Sequence, residues 1–235
     1  MKGRVAEAQL ALDLFNVTRH DFASFIVGPN REAWMAASAW ASASGAQVLH
    51  LRGSPGTGKS HLLQAAIAAV DRASVRAMYV PLRELGALGA NVLDDLDQID
   101  VLAIDDIDAC AGSADWERGL FNLYNALDAA RCRLLWSARA APRFSLPDLQ
   151  SRLDASLIYQ LHELDEADKH AALRARAHTR GLSLPESVID FIMRRKRRDL
   201  GTLIALLNEL DQASLASGRA LTVPFVREVL AQRDD

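Results

Sequence analysis

Gly53-Ser54-Pro55-Gly56-Thr57-Gly58-Lys59-Ser60 fits the pattern G-x-x-x-x-G-K-[ST] at every fixed position. The apolar run Val48-Leu49-His50-Leu51 precedes it, and a helix-like run from His61 to Val70 follows. A strand before and a helix after are the setting in which such a loop grips phosphate. Its backbone N–H groups turn inward toward the anion, and the following helix adds its positive N-terminal end. Gly53 through His61 are therefore the candidate nucleotide-binding residues. Lys59 would reach the outer phosphates as a point charge, and Ser60 would hold Mg²⁺. The competing reading is an ordinary glycine-rich turn with a chance lysine.

A second element sits downstream. Val101-Leu102-Ala103-Ile104 is an apolar run that ends in Asp105-Asp106. A buried parallel strand reads as such a run, and its C-terminal end faces the ligand crevice of an open α/β sheet. Asp105 would then hold Mg²⁺, directly or through water, and Asp106 would orient or polarise an attacking water. Many strands end in polar turns, so the pair gains meaning only from the loop upstream.

The chain has 235 residues, 50% of them hydrophobic and 24% charged, as soluble globular proteins do. That length holds a nucleotide-binding domain and a small second domain. A net charge of -3 argues against a general grip on nucleic acid. Cys110 and Cys132 have neither metal spacing nor a disulfide framework and read as reduced thiols. No apolar run is long enough to span a bilayer, and Glu7, Gln9 and Asp13 interrupt any signal-like segment. The expectation is a cytoplasmic protein without a membrane partner.

Along the chain, residues 1–18 read as a tail, with Phe22 and Phe25 as anchors in the irregular stretch after it. Asn30 is placed to cap a helix that runs to about Ser44 and stops at Gly45. Further strands are expected at Arg76–Leu82, Val101–Ile104, Leu134–Trp136 and Leu157–Leu161, with one or two short helices after the second strand and a helix over Glu117–Ala130. Alternating strands and helices predict an α/β fold, a parallel sheet covered on both faces, over 19–162. Beyond Leu161 the pattern is helical only. Asp165 caps a helix ending at Gly181, Pro185 is a first helical position, Leu200–Ser217 carries a long apolar face, and Pro224 opens a last helix. These four helices, over 163–235, predict an all-helical lid over the nucleotide.

A P-loop α/β core followed by a helical bundle resembles the AAA+ arrangement, and within it the bacterial initiator family, DnaA, together with its short regulatory relatives, the Hda group. The resemblance rests on Phe22-Ala23-Ser24-Phe25, the loop continuing into His61-Leu62-Leu63, Tyr79-Val80-Pro81-Leu82, Ile104-Asp105-Asp106-Ile107, Leu146 through Asp154, and Thr222-Val223-Pro224-Phe225-Val226. It implies an adenine nucleotide, ADP or ATP, with Mg²⁺. It also implies a role in regulatory inactivation of the initiator DnaA, as a DNA replication inhibitor.

In Gln9-Leu10-Ala11-Leu12-Asp13-Leu14-Phe15 the tail resembles the peptide by which bacterial proteins dock on the replication sliding clamp, the β subunit of DNA polymerase III. Gln9 would bond at the rim of an apolar pocket, with Leu10 beside it and Leu12, Leu14 and Phe15 as the anchors. The plain alternative is an amphipathic turn on the chain's own domain. Contact with DNA would then be indirect, through the clamp. By the same resemblance Arg152 is the arginine offered in trans to the initiator's nucleotide, where the alternative is a structural salt bridge or helix cap.

Three positions depart from the initiator pattern. Ala138 replaces an acidic residue after the fourth strand, with Ser137 or Arg139 as substitutes. Gly201 stands where the lid arginine falls, and Ser156 where the initiator's own trans arginine falls. These departures imply weak intrinsic hydrolysis and a nucleotide held as a structural ligand. The initiator's DNA-reading helix-turn-helix segment is not expected here. The run Arg194-Arg195-Lys196-Arg197-Arg198 reads first as a solvated helix end and second as a contact for nucleic acid or an acidic partner. The rival classes are an autonomous AAA+ ATPase, such as a helicase loader or clamp-loader-like motor, and a DNA-binding initiator paralogue. Self-association into a homo-oligomer stays open.

Overall fold

The computed structural model describes residues 20–70, 75–94, 96–139, 141–195 and 200–234, apart from the side chains of 97, 195 and 232–234. Five strands form one parallel sheet: β1 (Val48–Arg52), β2 (Ala77–Pro81), β3 (Val101–Asp105), β4 (Arg133–Ala138) and β5 (Leu157–Gln160), in the order β2-β3-β4-β1-β5. Every residue of β3 is buried, as a central strand covered on both faces requires. Strand periodicity divides β1: Leu49 and Leu51 enter one core, while Val48 packs against the other.

On the Leu49 side lie α1 (Arg31–Ala41) and α2 (Lys59–Ala69). Ala33, Ala37, Trp40 and Ala41 form the buried stripe of α1. The helix stops at Ala41, short of the expected Ser44. There Arg133 Nη1 donates to the carbonyls of Trp40 and Ala41 at 2.6 and 2.9 Å, satisfying the last turn. Asn30 does not cap α1 through its side chain. It is buried, and its amide clasps the His162 backbone instead, donating to the carbonyl at 3.0 Å and accepting from the N–H at 2.7 Å. A buried amide with donors and an acceptor satisfies both there, which a cap would not.

The other face carries α4 (Ala114–Ala129) and α5 (Pro147–Ala155). The helix expected from Glu117 begins three residues earlier, and Glu117 is interior. Its carboxylate accepts from the N–H groups of Gly112 and Leu146, each at 2.7 Å, tying two loops together. β2 ends at Pro81, and Leu82 opens the four-residue α3 (Leu82–Leu85); short 3₁₀ turns follow at Gly86–Leu88, Ala90–Leu93 and Leu96–Gln98. No disulfide joins Cys110 and Cys132.

After the sheet come α6 (Glu166–Thr179), α7 (Glu186–Arg195), α8 (Leu200–Ser217) and α9 (Val223–Asp234), which share a separate core including Leu173, Ile189, Leu207 and Val226. The Asp165 carboxylate accepts from Asp168 N–H at 2.7 Å, the expected cap, and Gly181 with φ +66° ends the helix. Pro185 lies one residue before α7, where its carbonyl accepts from Val188 and Ile189, while Pro224 lies inside the first turn of α9. The fold is the AAA+ arrangement of a parallel-sheet domain and a helical lid. No helix of the described residues is long and apolar enough to cross a membrane.

Candidate nucleotide-binding site

The loop Gly53–Ser60 leaves β1 at the C-terminal edge of the sheet, where a crevice is expected. Gly53 N–H donates to Ala138 of β4 at 3.2 Å. A Cβ on Gly53 would lie 2.7 Å from Thr57 Oγ1 and 2.8 Å from the Leu161 carbonyl, so no other residue fits that turn. Gly58 has φ +95° and supports the Phe25 ring, a conformation and a contact that both exclude a side chain. Leu62 N–H to Gly58 O, at 3.0 Å, is the first bond of the α2 ladder. The amides of Lys59, Ser60 and His61 therefore stand ahead of any helical acceptor, as an anion site needs.

Lys59 is buried, and its ammonium donates to the carbonyls of Gly53 and Ser54 at 2.7 and 3.0 Å. Burial lowers its affinity for the proton, while the carboxylates of Asp106, Asp105 and Asp108 oppose that shift. His61 Nε2 donates to the Asp21 carbonyl at 3.0 Å, and its ring meets those of His20 and Phe25 edge-on. Burial pushes its imidazole down to about 4, so it is neutral near pH 7.

Asp105 is buried at the end of β3 and held by three donors. Tyr79 O–H donates to Oδ2 at 2.7 Å; Ser137 O–H and Asp106 N–H donate to Oδ1, the latter at 3.1 Å. Asp106 N–H is shared with Ser137 Oγ at 3.0 Å. Burial first, then the Asp105 charge, pushes the Tyr79 phenol well above its usual range, which keeps it a donor. Oδ1 is filled, while Oδ2 keeps one lone pair. That suits one hard-cation contact or a bridging water, the way Mg²⁺ is held beside phosphates. Ser60, in the first turn of α2, offers a second oxygen. Among the described residues no group of three or more His, Cys, Asp or Glu side chains forms a metal cage.

Asp106 has left-handed backbone, φ 56° and ψ 47°. Its Oδ2 accepts from Arg83 Nε at 2.6 Å, and Arg83 Nη2 also donates to Asp108 at 3.2 Å. Arg139 N–H donates to the same Asp108 at 2.9 Å. Ala138, at the expected acidic position, is fully buried; Ser137 beside it reaches Asp105, and Arg139 reaches Asp108. Arg83 and Tyr79 were not singled out from the sequence as site residues. Tyr79 lies in β2 and Arg83 just past it in α3, and the sequence pattern does not say that β2 runs beside β3.

The remaining residues singled out are not gathered at the loop. Arg152 lies on the exposed side of α5, its guanidinium 5.6 Å over the Tyr124 ring, which stacks on Trp136. Among the described residues it makes no hydrogen bond or ion pair. Ser156 closes α5 by donating to the Leu153 carbonyl at 2.5 Å. Gly201 is in the first turn of α8 and exposed. Arg194 pairs with Asp190 at 3.6 Å on the surface of α7. The clamp-type residues Gln9, Leu10, Leu12, Leu14 and Phe15 lie outside the described residues, as do 196–198 of the basic run.

Residues 17–162 match the family described as the bacterial DnaA ATPase domain. Residues 165–230 match the lid domain of Hda. Domain III of the replication initiation protein DnaA from Thermotoga maritima has the same fold, with TM-score 0.80 and 24% identity over 92% of this chain and 97% of that one. AMPPCP-bound DnaA from Aquifex aeolicus gives TM-score 0.69 at 20% identity, covering 84% of this chain and 66% of that longer one. The RuvB Holliday junction branch migration motor of Thermotoga maritima gives TM-score 0.61 at 17% identity over 86% of this chain and 67% of its own.

Proposed function

We propose, from the premise that this chain belongs to the bacterial DnaA family of AAA+ proteins and carries an Hda-type lid, that it is a negative regulator of chromosomal replication initiation. It holds an adenine nucleotide with Mg²⁺ on the Gly53–His61 loop, with Asp105 and Ser60 at the metal. Residues Gln9 through Phe15 tether it to the sliding clamp, and so to DNA, in the cytoplasm. It docks on ATP-bound initiator and presents Arg152 to that nucleotide. Water then attacks the γ-phosphorus, the bond to the β–γ bridging oxygen breaks, and ADP and phosphate remain. A guanidinium in that position stabilises the transferring charge, an effect worth about 10³–10⁵ in rate in related phosphoryl transfers.

The observation that carries this reading is Arg152 itself: exposed, with no ion-pair or hydrogen-bonding partner among the described residues, its guanidinium 5.6 Å over the Tyr124 ring, which stacks on Trp136. An arginine serving only its own fold would be expected to spend its five donors there. The chain's own nucleotide is a structural ligand, because Asp106 is ion-paired to Arg83 and neither Ala138 nor Gly201 has a polar side chain to offer a phosphate. The clamp raises the local concentration of both partners.

The intact Asp105-Asp106 pair favours one second reading, an autonomous AAA+ ATPase. ADP formation by initiator–ATP separates the two when measured with and without this chain and clamp-loaded DNA. The regulator needs all components, and loses its effect when residues 1–15 are removed. Rapid turnover by the chain alone, indifferent to initiator and clamp, would establish the motor instead.

A further inference from the structure

Helix α4 holds α5 at two points. Glu117 and Tyr124, seven residues apart, share one face of α4. At the first point the buried Glu117 carboxylate accepts from Leu146 N–H at 2.7 Å, one residue before α5 begins. At the second the Arg152 guanidinium, in the last turn of α5, lies 5.6 Å over the Tyr124 ring. Between them Leu149 and Leu153, one turn apart, are buried in the core that also contains Tyr124 and Trp136, which fixes the roll of α5. Tyr124 is itself braced: its ring stacks on that of Trp136, centroids 5.5 Å apart and 22° from parallel, and Trp136 is buried in β4.

The carboxylates of α5 leave Arg152 alone. Asp148, one turn back, has the i,i+4 spacing that suits an ion pair, yet among the described residues it forms none with Arg152. Asp154 accepts from Gln150 Nε2 at 3.1 Å on both oxygens and lies 3.7 Å from Arg52 Nη2. A carboxylate partner would steady the guanidinium but fill its fork and cancel its charge. An aromatic face within about 6 Å attracts the same cation and leaves its N–H donors free for another acceptor.

We propose that Tyr124 is the positioning residue for Arg152: its ring, braced by Trp136, steadies the guanidinium with its donors free for a phosphate in the partner's site. This assignment rests on the reading of Arg152 as the arginine presented to the initiator's nucleotide. The face of the ring carries the effect, and the hydroxyl does not. The side chain's rotamer freedom is then given up on folding, before the two proteins meet. Removing the ring therefore lowers the rate within the docked complex and leaves docking itself unchanged.

Hydrolysis of initiator-bound ATP, followed with clamp-loaded DNA and increasing amounts of this chain, tests it in wild type, Tyr124→Phe, Tyr124→Leu, Arg152→Ala and the Tyr124→Leu, Arg152→Ala double variant. Phe keeps the maximal rate. Leu lowers it about tenfold at an unchanged half-saturating concentration, and adds nothing to the loss in Arg152→Ala. Increasingly fluorinated phenylalanines at position 124 lower the rate stepwise, because fluorine drains the face of the ring at nearly constant shape; that series stands even where the leucine variant does not fold. The wild-type maximal rate in Tyr124→Leu, or a flat fluorine series, overturns the assignment. So does equal loss in Phe and Leu, which marks a role for the hydroxyl. Each of these, beside an inactive Arg152→Ala, leaves the reading of Arg152 intact, whereas full acceleration by Arg152→Ala sinks that reading and this assignment with it.

Discussion

Arg83 Nε donates to Asp106 Oδ2 at 2.6 Å, joining α3 to the residue that leaves β3 and holding the candidate water-orienting carboxylate in an ion pair. A carboxylate so engaged is a poorer acceptor for a water proton than a free one. Arg83→Ala is therefore expected to raise the chain's own slow ATP hydrolysis several-fold, measured as phosphate released without initiator. Adding Asp106→Asn should abolish the gain. The pair is partly exposed, so its loss should cost no more than about 1 kcal/mol of stability.

Ser137 is the hinge of the acidic pair: its hydroxyl donates to Asp105 and accepts from Asp106 N–H at 3.0 Å, wholly out of solvent. Ser137→Ala leaves a buried carboxylate short of a donor, a loss on the order of 1–3 kcal/mol. Thermal melts should show it. Nucleotide affinity should fall in Mg²⁺ and stay unchanged in EDTA, because the loop amides are untouched while the metal's carboxylate is released.

His50 lies in the middle of β1, fully buried against Trp136, with neither ring nitrogen hydrogen-bonded. Burial, aided by the Arg52 charge, pushes its imidazole from 6.5 down to about 3. The unfolded chain takes up this proton first as pH falls. The stability His50 permits is complete above pH 6.5 and is lost on going down toward pH 3, at about 1.4 kcal/mol per pH unit. His61 adds to the same slope between 6.5 and about 4. Urea melts of His50→Leu across that range should show the slope shallower by about 1.4 kcal/mol per pH unit; a slope equal to the wild type's would contradict the cause assigned.

What the sequence made legible was local. The phosphate loop, the strand before it and the helix after it are contiguous, so one stretch contains the pattern and its context. β3 announces itself because both faces are buried, and Asp165 caps a helix three residues away. The misread features depend on partners far along the chain. Asn30 looked like a cap because its true partner, His162, is 132 residues distant. Arg83 and Ser137 reach the acidic pair only because the sheet order places β2 and β4 on either side of β3. Apolar periodicity does not encode that order.

The proposed function requires Arg152 to serve another protein's nucleotide. Its most direct test is single-turnover hydrolysis of initiator-bound radiolabelled ATP, in the presence of clamp-loaded DNA and ADP-bound chain, comparing wild type with Arg152→Ala and Arg152→Lys. Wild type should accelerate the hydrolysis, while both variants, still folded and still binding ADP and clamp, lose the acceleration by two orders of magnitude or more, on the order expected for loss of a transition-state guanidinium. Full acceleration by Arg152→Ala would contradict the account.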